Sequence, residues 1–289
     1  MARRTLIAGC GYVGSALAEA LAQQGELVFG LRRSQQPLPR GVSHVVADLA
    51  EPTSLSVIPE AIDTVVYAAS ADQRSEEAYR RAYVAGPENL LAFLDDRGDP
   101  VRRVVYVSST GVYGYADGRW IDEDTPTNSS GTGAILEEGE GRCLAGPFPS
   151  VILRLGGIYG PGRRNLIDRV LAREATCASG PPRYSNRMHL HDIVAAIVHL
   201  LDLERARDVY LGVDDDPADS CTVARWLASQ LGVPPPATVD RPAPRTNKRC
   251  RNKRLVESGL KLRYPTFREG YAQVLKQLGL LSGSSEAAP

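Results

Sequence analysis

Short apolar runs ending in glycine, alanine or serine, separated by segments with helical spacing, set the pattern of this chain from its first residues. Thr5, Leu6, Ile7 and Ala8 form the first run, and Ser15 to Ala22 the first helix-like stretch. Further apolar runs predict strands at 26–31, 42–47, 62–69, 101–107, 150–155 and 208–213. Between them, helices are predicted over 75–97, where Tyr79, Tyr83, Leu90, Leu91 and Phe93 keep helical spacing, and over 134–144, 165–174 and 193–203. Residues 115–133 are polar and turn-rich and read as a surface loop. Strands alternating with helices describe an α/β fold, a doubly wound parallel sheet. The expected division is a nucleotide-binding domain over 1–160, to whose sheet the strand at 208–213 returns, a smaller C-terminal α/β substrate lobe over 161–281, and a disordered tail over 282–289.

The chemistry concentrates where the first strand meets the first helix. Gly9, Cys10, Gly11, Tyr12, Val13 and Gly14 carry the GxGxxG spacing of a Rossmann dinucleotide turn. Gly9 permits the tight turn, Gly11 admits a pyrophosphate to backbone N–H groups, and Gly14 lets helix and strand pack closely. The helix N-terminus, with Tyr12 and Val13 at its start, then faces the phosphates with its positive end. At the end of the second strand, where a carboxylate would bind the ribose of NAD, stand Arg32 and Arg33. Two guanidiniums suit a 2′-phosphate, so NADP is the expected cofactor and NAD the less favoured one. Solvated loop arginines are the alternative. Asp48 and Leu49 end the third strand, where a carboxylate accepts from an adenine amino group or is simply an exposed loop aspartate. Ala68, Ala69 and Ser70 are small enough for a cofactor to lie against the fourth strand's end.

Composition narrows the partners. The chain has 289 residues, 43% of them hydrophobic, with 34 basic and 34 acidic side chains. Such a balance gives no global field for nucleic acid or membrane surface, and the basic run Lys248 to Arg254 lacks interleaved aromatics in sequence. A small-molecule substrate is the expected partner. Met1, Ala2, Arg3 and Arg4 lead into the first strand without an apolar leader, and five scattered cysteines lack CxxC spacing, so a cytoplasmic protein with reduced thiols is expected. His189 and His191 have no third ligand nearby in sequence, so no metal site is expected.

The motifs in this order resemble the extended short-chain dehydrogenase/reductase superfamily, of the NAD(P)-dependent epimerase/dehydratase type. They are the glycine turn, Asp48-Leu49, Ala68-Ala69, Ser108 to Gly114, Leu153 to Leu155, Tyr159 to Gly162, and Arg187-Met188-His189 to Asp192. The segment from Asn252 to Leu255, with Gly259-Leu260 and Tyr264 to Gly270, is similar to the YeeZ-like bacterial branch. The resemblance implies a substrate cleft between a Rossmann domain and a smaller C-terminal domain, and allows a homodimer through helices flanking the central strands. Family chemistry uses a serine or threonine with a YxxxK pair, the lysine lowering the tyrosine's pKa. Ser109 takes the first position, but Thr132 and Leu136 occupy the tyrosine and lysine positions when Glu140 is matched to the family's glutamate. Tyr83 stands three residues before Gly86, where an asparagine is usual.

Two functions follow. The first is an NADP-dependent oxidoreductase or epimerase-like enzyme with a non-standard site, acting on a small polar substrate. Ser109 would then bind the reacting oxygen and Tyr113 or Tyr83 would donate the proton. Thr110, Arg163, Arg187 and His189 would meet the substrate, the arginines holding its anionic groups. The second is a non-catalytic NADP-binding sensor or interaction protein, motivated by Thr132 and Leu136.

Overall fold

The computed structural model describes residues 2–281, so the predicted tail lies outside the described residues. Its strands are β1 (Arg4–Ala8), β2 (Leu27–Arg32), β3 (Val42–Val46), β4 (Thr64–Tyr67), β5 (Arg103–Ser109), β6 (Trp120–Ile121), β7 (Ser150–Leu155), β8 (Gly157–Tyr159), β9 (Thr176–Ala178), β10 (Arg187–His189), β11 (Val209–Gly212), β12 (Ala237–Val239) and β13 (Arg249–Cys250). Helices are α1 (Tyr12–Gln23), α2 (Glu76–Arg80), α3 (Gly86–Asp96), α4 (Thr132–Leu144), α5 (Asn165–Leu171), α6 (Leu190–Asp202), α7 (Ser220–Gln230), α8 (Lys253–Glu257) and α9 (Phe267–Gln277).

Seven strands pair in parallel in the order β11-β7-β5-β4-β1-β2-β3. Chain direction across the sheet reverses between β1 and β4, and such a switch point leaves a crevice beyond the strands' carboxyl ends. Both faces are covered, which explains why β1 and β4 are apolar almost throughout. Leu17 and Leu21 of α1 and Ile193, Ile197 and Leu200 of α6 pack on one face, and Leu90, Leu91 and Leu94 of α3 on the other. Each such side chain contributes about 1.5–3 kcal/mol by leaving water. A separate cluster of Ile167, Val170, Val223, Leu227, Phe267 and Leu275 holds the C-terminal elements together.

The helix predicted over 75–97 is interrupted by a wide π turn, Arg81–Ala85. Pro87 explains it. Proline has no N–H and its ring clashes with the carbonyl four residues back, here that of Tyr83. The Tyr83 carbonyl instead accepts from the Tyr106 hydroxyl at 2.9 Å, the Ala82 carbonyl accepts from the Tyr67 hydroxyl at 2.5 Å, and the Gly86 N–H reaches back to the Arg81 carbonyl. Helix α4 begins at Thr132, two residues earlier than predicted, and Gly139 inside it is explained by contact: a methyl there would fall on the Tyr83 carbonyl.

Three two-stranded ribbons escaped the sequence reading: β8 with β10, β9 with β12, and β6 with β13. The last pairs the predicted 115–133 loop with the basic run and places the Arg249 guanidinium 4.9 Å from the Trp120 ring and 4.6 Å from the Tyr184 ring, aromatics that are remote in sequence. The expectation of reduced thiols throughout is also corrected. Cys177 in β9 and Cys221 in the first turn of α7 form a disulfide, while Cys10, Cys143 and Cys250 are free and buried. Those two cysteines are 44 residues apart, so only the tertiary fold brings them together.

Candidate functional site

A cavity of about 640 Å³ opens at the switch point. Its walls come from the carboxyl ends of the first four strands: Gly9, Cys10 and Gly11 after β1, Leu31, Arg32 and Arg33 at the end of β2, Ala47, Asp48 and Leu49 after β3, and Ala68, Ala69 and Ser70 after β4. Nine of the twelve residues proposed from sequence for the cofactor therefore meet in one place. The other three, Tyr12, Val13 and Gly14, do not line it; they form the first turn of α1 behind it. Gly14 lies so close to the Gly9 carbonyl that no side chain fits, Val13 is in the core, and the Tyr12 hydroxyl donates to the Pro161 carbonyl at 2.7 Å.

Gly9 adopts φ +99° and its backbone abuts Ala69, so the turn requires glycine. Gly11 differs: an added Cβ would meet nothing within 4 Å, because the space before it belongs to the cavity. No side chain caps α1 behind Gly11. The leading N–H groups of a helix have no intrahelical partners and carry its positive end, which suits an anion.

The two arginines are held differently. Arg32 donates from Nη2 to the Ser15 hydroxyl at 2.8 Å, while its buried Nε has no hydrogen-bond partner. Arg33 forms an ion pair with Asp72 at 3.0 Å, about half exposed on each side. Asp48 accepts from the Ala50 N–H at 2.9 Å and from Arg81 at 3.3 Å. Sequence reading missed Arg81 and Asp72 on this cavity, since each sits in a segment with no motif of its own.

The residues proposed for catalysis and substrate do not line this cavity. Ser109 ends β5, next to β4 in the sheet, and its Oγ accepts from the Gly111 N–H at 3.0 Å; Thr110 is buried in the turn that follows. Tyr83 lies half-buried in the π turn beside the cavity-lining Ala82. Burial raises its pKa, opposed by a backbone hydrogen bond from Ala71. Arg163 is exposed, its guanidinium 4.8 Å from the Tyr12 ring.

Three expectations are corrected. Tyr113 has no exposed surface: its hydroxyl accepts from Arg154 Nη1 at 2.5 Å, and burial pushes its pKa up to about 12 against the nearby guanidinium. Arg154 is itself bound to Glu140 through both Nε and Nη2, and Glu140 also accepts from Ser108 at 2.6 Å. Tyr113 thus belongs to a buried charge network. Its signal in the sequence was an arginine inside the apolar β7 run. His189 is also fully buried; its Nδ1 accepts from the His191 N–H, capping α6, and burial, reinforced by His191, lowers its pKa to about 4. Arg187 is buried over Phe267 and bonded to Ser185, leaving Nη1 unpartnered. Beside it lies Asp214, whose N–H donates to the Arg187 carbonyl at 2.7 Å and whose buried carboxylate oxygens lack a hydrogen-bond partner; burial raises its pKa to about 8 against the influence of Arg187. Neither Arg187 nor His189 presents itself to a substrate.

At the YxxxK positions, Thr132 is exposed at the start of α4, and Leu136 is packed against Val112 and Tyr113. Among the described residues no His, Cys, Asp and Glu group has a metal-binding arrangement, and no helix is long and apolar enough to cross a membrane.

The model of the NAD dependent epimerase/dehydratase family matches residues 5–212. The chain belongs to this family. Protein YeeZ of Escherichia coli (strain K12) is 30% identical over 245 residues, spanning 81% of this chain and 86% of YeeZ. A solved structure from Methylobacillus flagellatus that carries the epimerase/dehydratase name is 36% identical, with a TM-score of 0.79, over 96% of this chain and all of that one. At 19% identity, WbmG of Bordetella bronchiseptica, solved in complex with NAD, shares the fold with a TM-score of 0.81 over 97% of this chain and 96% of its own. Family membership makes the chain NAD(P)-dependent and oxidoreductase or epimerase-like. The cavity fits such a dinucleotide: Gly11 leaves room before an uncapped helix, and Arg32 lines it with only neutral hydrogen-bond partners.

Proposed function

We propose that this chain is an NADP-preferring oxidoreductase or epimerase-like enzyme with a non-standard proton donor, acting on a small polar substrate. Arg32 carries the reading: its guanidinium, at the end of β2, lines the cavity and is bonded only to the neutral Ser15 hydroxyl and Gln36 amide oxygen. A guanidinium with only neutral partners gains charge-assisted hydrogen bonds from a phosphate oxygen. Arg32 and Arg33 would hold the 2′-phosphate, Gly9 to Gly14 the pyrophosphate, and Asp48 and Leu49 the adenine. Ala68, Ala69 and Ser70 would flank the cofactor's path toward Ser109.

Bound nicotinamide cofactor supplies or accepts hydride. The chain's own residues must orient the reacting oxygen and move a proton. Ser109, at the end of β5, would hydrogen-bond that oxygen, with Thr110 holding the turn behind it. Tyr83 is the proton donor in this reading: its phenol is protonated at neutral pH, and because burial raises its pKa it is a weak acid that gives up the proton only to a strongly basic oxygen such as a developing alkoxide. Arg163, exposed beside Tyr12, would meet an anionic substrate group. A homodimer and a cytoplasmic setting belong to the same proposal and are checked by sedimentation and fractionation.

NADPH oxidation across a panel of small carbonyl compounds tests the reading. Turnover is expected, with Tyr83→Phe lowering kcat about 100-fold while leaving cofactor affinity in place. Cofactor binding without turnover on any compound would favour the second reading, a cofactor-binding sensor. Its support is Leu136, which fills the lysine position with a packed apolar side chain.

A further inference from the structure

Two ion pairs connect the cavity's opposite walls. Arg33, just past β2, reaches Asp72, in the segment after β4, and Asp48, just past β3, reaches Arg81 in the π turn; all four residues line the cavity. The first pair has a consequence for cofactor choice. Arg32 is bonded only to neutral groups, the Ser15 hydroxyl and the Gln36 amide oxygen at 3.3 Å, and is open to an anion. Arg33 is already engaged by a carboxylate.

We infer that Asp72 is a specificity-determining residue: it latches Arg33 across the cavity and competes with the cofactor's 2′-phosphate for that guanidinium. The inference rests on the reading that Arg32 and Arg33 face this phosphate. Asp72 engages Arg33 through Nη2 and offsets the guanidinium's charge. A phosphate that meets Arg33 must either displace Asp72 from Nη2 or share the guanidinium with it, and in both cases has that carboxylate as a like charge nearby. NADH has no such group and does not disturb the latch. Asp72 therefore weakens NADPH selectively, and its position in the segment after β4 couples that segment to the cofactor's identity.

Calorimetric titration of NADPH and NADH into wild type, Asp72→Asn, Arg33→Ala and the double variant tests this. Because the pair is about half exposed, its removal is worth only a modest factor. Asp72→Asn is expected to tighten NADPH about fivefold, shift NADH by less than about twofold, and lose much of its gain in high salt. Combining it with Arg33→Ala should abolish the gain. Equal shifts for both cofactors, no shift, or a gain that survives Arg33→Ala would overturn the latch. Failure of the underlying reading looks different: wild type would bind the two cofactors alike and Arg32→Ala would change neither, whereas the latch is judged on the Asp72→Asn ratio and on its loss with Arg33→Ala.

Discussion

The dinucleotide cavity and the interior around Tyr113 are built from the same sheet by opposite means. The cavity is shaped by backbone: glycines that admit no side chain, an uncapped helix start and small residues at strand ends leave a space whose charges sit on its rim. Around Tyr113 the shape comes from side chains: Arg154, Glu140 and Ser108 satisfy one another out of water and hold the phenol between them. One arrangement leaves donors waiting, and the other uses them up. This difference explains why Tyr113, despite its place in a family motif, is unavailable, while Arg32 is available.

Breaking the buried network should have the largest effect. Arg154→Met leaves Glu140 as an uncompensated buried charge and is expected to cost about 3–5 kcal/mol in denaturant unfolding. Survival of wild-type stability would show the network to be ornamental. A smaller effect is expected at Asp214, another buried acid. Burial raises its folded-state pKa to about 8 from the 3.8 of an exposed aspartate, so the folded state holds a proton that the unfolded chain releases. The associated stability is complete below about pH 4 and is lost as pH rises through about 8. Between pH 6 and 8 this amounts to about 2 kcal/mol at most. Asp214→Asn should flatten that slope in thermal melts; an unchanged slope would place the titration elsewhere. Gly11→Val tests the backbone side. Its Cβ has open space, so the free protein should lose about 1 kcal/mol or less. Cofactor affinity, by contrast, should fall at least about tenfold. A variant that loses several kcal/mol of stability yet binds the cofactor as wild type does once folded would reverse the roles assigned to the two regions.

The same contrast decides what could be read before the fold was known. Glycine spacing reports backbone demands that are local, so Gly9, Gly11 and Gly14 pointed to the turn, and strand ends with small or charged residues pointed to the cavity's other walls. The sheet followed from apolar runs whose period and spacing are also local. What failed was long-range. Nothing near His189 or Arg187 in sequence announces that α9 and its neighbours bury them, and nothing near Asp72 or Arg33 announces that they meet. The disulfide and the three small ribbons join segments tens of residues apart. The π turn was legible in principle, since Pro87 stood inside a helical pattern, but its partner Tyr106 came from another strand.

The central claim is that the cavity selects a cofactor bearing a 2′-phosphate through Arg32 and Arg33. Paired calorimetric titration of NADPH and NADH into wild type and an Arg32→Ala/Arg33→Ala variant tests it most directly. Wild type should prefer NADPH, and the double variant should lose at least about tenfold in NADPH affinity while NADH changes by less than about threefold. Equal losses for the two cofactors, or a wild type that binds them alike, would contradict the account.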